Sequence, residues 1–222
     1  MTADIQEIFE RVGRDYEYMT NAEWAKSRDL KVKWIRSGRW IEFYVTDYLK
    51  DMDYVDLEEL ARMMFKRIIF GDGQGYPEGM TEYITSQEFR ERNVPIYLER
   101  CTEVYEGYNH ISLDDSVARL LERGLLHDAD IFGVTVAYCG ALEDKACRSS
   151  VLMKCALVNR ALDTRITENG LIDFVVYCAV KWTTTPFPGG DTLKEMQREI
   201  MEQYPDHEKC LKDLRFRGLD IF

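Results

Sequence analysis

Residues 171–182 read Leu-Ile-Asp-Phe-Val-Val-Tyr-Cys-Ala-Val-Lys-Trp, an almost unbroken apolar run without glycine or proline. A run of this length predicts a helix, and a helix apolar on nearly every side has to be covered on most of its faces. Thr167, just upstream, is placed to cap it. The chain is therefore expected to be organised around one central buried helix. Its 222 residues suffice for that, because a domain of this size buries about 70% of the surface its unfolded chain exposes and needs no covalent or metal staple. One domain, 1–222, is the first expectation.

The formal net charge of −11 repels phosphate at long range, which makes nucleic acid and anionic membranes disfavoured partners unless a local basic patch intervenes. No apolar stretch is long enough to span a bilayer, so no membrane is expected. The first residues alternate charged and apolar side chains with helical spacing, unlike an export signal, and the expectation is a cytoplasmic protein. In that compartment Cys101, Cys139, Cys147, Cys155, Cys178 and Cys210 read as reduced thiols that pack as small apolar residues. None of them forms a C-x-x-C pair.

Along the chain, Ile5 to about Met19 predicts an amphipathic helix. Val32–Arg36 and Trp40–Val45, separated by Ser37-Gly38, predict a hairpin. A helix over Leu57–Phe70 should close at Gly71, and Gly71–Gly79 reads as a flexible connection that lacks the ending of a phosphate-binding loop. Ser86 to about Tyr97 is expected to be partly helical and interrupted near Pro95. Ser112-Leu-Asp-Asp115 resembles a capping box, opening a helix that Gly124 ends. Ile131–Tyr138 and Val151–Val158 are expected as strands, joined by a charged loop with Glu143-Asp-Lys145. After the turn Pro186–Gly190, Leu193–Gln203 predicts a last amphipathic helix that stops before Pro205.

The halves echo one another. Val45-Thr-x-x-Leu49 leads into a helix at Leu57, and Val158-Asn-x-x-Leu162 leads into one at Leu171. A weak duplication, 1–110 and 111–222, stands beside chance as its reading, since strand, loop and helix recur in many folds.

Leu157-Val-Asn-Arg-Ala-Leu-Asp163, Leu171-Ile-Asp-Phe-Val-Val-Tyr177 and Gln203-Tyr-Pro-Asp-His207 together resemble SprT-like zincin metallopeptidases. In that family an edge strand with an N-x-x-L-like ending precedes a helix carrying H-E-x-x-H, followed by a further ligand and an aromatic-Pro segment. The resemblance covers about residues 130–210 and implies a zincin-like α+β fold, with a small twisted sheet packed against the central helix and further helices around it.

The resemblance fails where the family does its chemistry. Two histidines four apart on a helix reach one zinc ion, and the glutamate between them acts on the metal-bound water. In the matching frame those positions hold Cys178, Ala179 and Trp182. A thiolate can bind metal, but indole has no lone pair to offer a cation and alanine carries no proton. No histidine lies between Thr183 and Tyr204, although Glu195, Glu199 and Glu202 do. The three positions are equally ordinary core residues.

Other candidate sites are weaker. Cys178, His207 and Cys210 are the donors available for a relocated metal site, and Cys178 with His207 for a relocated hydrolase, although a thiol inside an apolar helix is held protonated. His110 and His127 read as surface or capping residues. Lys33, Trp34, Arg36, Arg39 and Trp40 interleave basic and aromatic side chains, which suits either nucleic acid or the solvated face of an amphipathic hairpin. The expectation for function is a metallopeptidase-like protein without a zinc site or other cofactor, acting as a binding module for a protein or peptide partner.

Overall fold

A computed structural model describes residues 4–71, 75–101, 110–140, 142–184 and 190–222, the side chains of 190–193 excepted. The expected turn at 186–189 and the Asp72–Gln74 part of the glycine loop lie outside the described residues. The chain divides into two compact units, Met1–Asn93 and Val94–Phe222.

In the first unit Asp4 caps α1 (Ile5–Asp15) by accepting from the backbone N–H groups of Gln6 and Glu7 at 3.0 and 3.3 Å. Its buried stripe, Ile5, Ile8, Phe9 and Val12, follows the three-and-four spacing that predicted it. The predicted helix ends earlier than expected, because Met19–Ala25 is a strand, β1. The expected hairpin is β2 (Val32–Ser37) and β3 (Trp40–Thr46), joined through Gly38 at φ +61°, the first central position of a two-residue turn. A 3-10 turn at Asp47–Leu49 leads to α2 (Tyr54–Phe70), which Asp53 caps and Gly71, at φ +68°, ends.

The sheet order is β1-β3-β2, with β1 parallel and β2 antiparallel to β3. Phe43 bridges the layers, its ring 4.6 Å from Phe9 of α1 and 5.3 Å from Phe65 of α2. The outer edge of β1 is capped by a side chain: Gln6 accepts from Ala22 N–H at 2.6 Å and donates to the Thr20 carbonyl at 3.2 Å. The glycine loop runs into a helix, α3 (Glu78–Thr85).

Helix α4 (Gln87–Cys101) passes through Pro95 without the expected interruption. Proline removes one backbone hydrogen bond, but Phe89, Asn93, Tyr97 and Cys101, four apart, are all buried, and that continuous stripe holds the helix together.

The second unit contains α5 (Leu113–Glu122), α6 (Asp128–Ile131), β4 (Thr135–Cys139), β5 (Cys147–Ser150), β6 (Cys155–Asn159), a 3-10 turn at Arg160–Leu162, α7 (Asn169–Trp182), α8 (Gly190–Gln203) and α9 (His207–Phe216). Ser112 caps α5 as predicted, and His127 caps α6, its N–H donating to Asp130. Both expected strands are shifted: Asp128–Ile131 is helical before β4, and a turn precedes β6. β5 was not anticipated. Glu168 rather than Thr167 stands at the N-cap of α7, while Thr167 hydrogen-bonds Thr164.

The sheet order is β4-β6-β5, with β4 parallel and β5 antiparallel to β6. Each unit therefore runs helix, outer strand, edge strand, central strand, 3-10 turn and helix, with the same pairing. Val45 and Val158 both sit near the end of the central strand, one residue before its last. The architecture is mixed α+β, with two small sheets packed against helices rather than one.

Candidate functional site

Every residue from Leu171 to Val180 is buried, so α7 is covered all round as its composition requires. One face meets the sheet, where the Ser149 hydroxyl of β5 donates to the Ala179 carbonyl at 2.6 Å. Another meets α5. There the single acid of the apolar run, Asp173, accepts from the Ser116 hydroxyl at 2.7 Å and from Arg119 at 3.0 and 2.7 Å. Hydrogen bonding to Asp173 raises the Arg119 pKa further. Asp173 was passed over in the sequence, although an acid inside so apolar a helix has to find a buried partner.

The three positions that the resemblance sets against the zinc motif all lie on this helix. Cys178 is fully buried, and burial pushes its thiol well above the ordinary range, with the nearby thiols of Cys147 on β5 and Cys210 on α9 acting in the same direction. Ala179 is likewise fully buried. Trp182 is half-buried, its ring centroid 4.0 Å from that of Phe222. The helix at the same place in the first unit, counted from Leu57 as the counterpart of Leu171, offers Met64, Phe65 and Ile68 at these positions. Neither helix presents an imidazole or carboxylate there.

The segment Leu219–Phe222 lies along the beginning of edge strand β5. Ala146 N–H donates to the Asp220 carbonyl at 2.6 Å, Cys147 N–H to the Ile221 carbonyl at 3.1 Å, and Asp220 N–H to the Asp144 carbonyl at 2.8 Å. This is parallel pairing centred on Lys145 and Asp220, whose side chains also pair at 3.2 Å. Nothing in the residue pattern alone marked this segment beyond its alternation of Asp220 with Leu219 and Ile221.

The weaker candidates are not assembled. His207 Nδ1 lies 2.8 Å from the Tyr204 carbonyl, so that nitrogen carries a proton. Burial pushes the Cys210 thiol up to about 11. Among the described residues no cationic group acts on Cys178, and its raised pKa opposes a thiolate nucleophile there. Glu195, Glu199 and Glu202 are exposed on α8. Among the described residues, no group of three or more His, Cys, Asp or Glu is placed to hold a metal ion. A groove of about 360 Å³ runs between Met201, Leu211, Leu214 and Ile221, and a hollow of about 380 Å³ lies by Arg62, Lys66 and Tyr76 in the first unit. Neither is lined by Cys178, Ala179 or Trp182.

On the hairpin, Trp34, Ile35 and Trp40 are 42%, 58% and 38% exposed. The basic residues are mostly engaged. Arg36 donates to Tyr18 at 2.6 Å and to the Ile68 and Gly38 carbonyls at 3.3 Å, Arg39 pairs with Glu17 at 3.8 Å, and Lys31 pairs with Asp29. The Trp40 indole N–H donates to Glu42 at 3.2 Å. Lys33 is exposed and has no ion-pair partner among the described residues. His110 donates its backbone N–H to Asp163 and is exposed.

No helix among the described residues is long and apolar enough to cross a membrane. Compared with family models, with curated proteins and with solved structures, the chain matches none of them.

Proposed function

We propose that this chain is a metallopeptidase-like protein of zincin-like ancestry that performs no zinc hydrolysis and serves as a binding module for a protein or peptide partner. The observation that carries this reading is the packing of the Cys178–Trp182 face. Where the resemblance places a water-filled metal cleft, the helix presents a buried thiol, a methyl group and an indole laid against Phe222. The entry to the edge strand beside it, Ala146 and Cys147, which would have to be open for a substrate, pairs with Asp220 and Ile221. The shared order and pairing of the two units favours descent from one duplicated element.

Metal analysis of the purified protein, together with a peptidase assay in the presence of added zinc, tests the reading. No stoichiometric zinc and no cleavage are expected. Stoichiometric zinc accompanied by cleavage that a chelator abolishes would overturn it.

A further inference from the structure

The two units differ at one edge. In the second, Lys145–Cys147, which lead into edge strand β5, pair through the backbone with Asp220 and Ile221, Cys147 being the β5 residue so covered. In the first, β2 holds the same place in the sheet, with Val32 opposite Val45 as Cys147 is opposite Val158, and no segment among the described residues pairs with its outer side. The two-residue turn makes Ser37 and Trp40 a hydrogen-bonded pair. By the antiparallel alternation, the N–H and C=O groups of Val32, Trp34 and Arg36 then point outward. Five of the six β2 residues are exposed, and the strand contains neither proline nor glycine to blunt it.

The chemistry around that edge selects its occupant. From Lys31 to Trp40 the chain carries four basic residues and no acid, against a net charge of −11 overall. Arg36 is held by Tyr18 and Lys31 by Asp29, while Arg39, in the turn, faces Glu17 at 3.8 Å, so among the described residues Lys33 is the β2 cation without an ion-pair partner, on the face that also bears Ile35. Trp34 lies on the opposite face. The segment on β5 has the complementary pattern, with Asp220 held by a lysine and Leu219 and Ile221 buried. Lysine on an open edge repels strands of its own kind and favours an acidic one.

We propose that the outer edge of β2 is a docking site for an extended, acidic segment of a partner protein, which adds to the sheet as a further strand with carboxylates toward Lys33 and apolar residues toward Trp34. Backbone pairing supplies the affinity and the alternating side chains the selectivity. This rests on the binding-module reading above and supplies its site and partner chemistry. The engagement of Arg36 and the net charge of −11 argue against nucleic acid as occupant.

The test uses the full chain with a short synthetic peptide alternating Asp with Ile and Val, followed by titration calorimetry and backbone amide shifts. Binding is expected with shifts centred on Val32–Ser37. N-methylation of alternate peptide amides, which leaves the protein untouched, should weaken it by about tenfold or more, and Lys33→Glu by about tenfold. Four results would each overturn the proposal: no binding; equal binding of the N-methylated peptide or to Lys33→Glu; shifts confined to Ala146 and Cys147, which would mean displacement of Asp220 and Ile221; or salt-dependent binding of oligothymidine at β2 with none of the peptide. Concentration-dependent self-association through β2 would do the same, since the occupant would be a second copy. None of these touches the zinc result, so the two readings fail separately.

Discussion

The ring of Trp182 lies against the ring of Phe222, centroids 4.0 Å apart and planes inclined by 40°. One residue ends the central helix of the second unit and the other follows the pair that bonds to its edge strand. Their contact closes the gap between helix and edge. Removing it with Phe222→Ala is expected to reduce stability by about 1–2 kcal/mol, the aromatic pair plus the lost area of a half-buried ring. Urea unfolding measures the loss, and Trp182 emission should shift to the red. An unchanged midpoint and spectrum would mean that the two rings do not seal this end.

Asp173 is the one acid within the buried span of α7, and it is only 3% exposed. Asp173→Ala leaves the Ser116 hydroxyl facing a void and the Arg119 guanidinium, 34% exposed, without its acceptors, and is expected to cost about 1–3 kcal/mol. The double variant with Arg119→Met should recover part of that loss, because it also removes the stranded charge. Additive losses in the double-mutant cycle would show that the two residues are not coupled.

Alkaline pH should destabilise the protein steeply. Burial holds the thiols of Cys147 and Cys178 well above their ordinary range, and those of Cys155 and Cys210 near about 12 and about 11. An unfolded thiol ionises at about 8.5, so above that pH the unfolded chain binds fewer protons than the folded one and stability falls. Each thiol contributes a slope of about 1.4 kcal/mol per pH unit until its folded pKa is reached. Below about pH 7 they contribute almost no slope. Denaturation midpoints between pH 8 and pH 11 under reducing conditions check this, and a flat profile would contradict the burial of the thiols.

Gly13 should resist replacement by alanine, although alanine is the better helix former. A Cβ there would lie 2.8 Å from Thr20 Cγ2 and 3.0 Å from the Tyr18 carbonyl. The carbonyl is backbone and cannot step aside, so Gly13→Ala is expected to cost about 1–3 kcal/mol by forcing α1 away from β1. A thermal midpoint at or above that of the parent chain would refute the close approach.

The elements that could be read in advance are those whose signal is local. The apolar run of α7, the stripe of α1 and the turn after β2 each carry their own period or turn chemistry, and each is present, although α1 ends at Asp15 and the turn falls on Gly38-Arg39. Strands β1 and β5 were missed for the opposite reason. Met-Thr-Asn-Ala-Glu-Trp-Ala and Cys-Arg-Ser-Ser carry little β-branched or aromatic content, and they become strands only through pairing with the central strands β3 and β6. Pro95 misled because its local effect is outweighed by a buried stripe that continues past it.

The site divides in the same way. Cys178, Ala179 and Trp182 were legible as residues that cannot assemble a zinc centre, because that is a matter of donor chemistry. What covers them was not legible, since Ser149, Phe222 and the Asp220 backbone reach α7 and β5 from distant parts of the chain. Asp173 was within reach of pattern reasoning: Ser116 and Arg119, three apart on one face of α5, are the kind of pair that a buried acid requires.

The carboxamide of Gln6 gives the first sheet a direction of growth. By satisfying Thr20 and Ala22 at the outer side of β1, it stands in for the strand that would otherwise be recruited there. If a partner strand joins at β2 as proposed, the occupied groups of Thr20 and Ala22 oppose a second addition on the other edge, and a one-to-one complex is the expected stoichiometry.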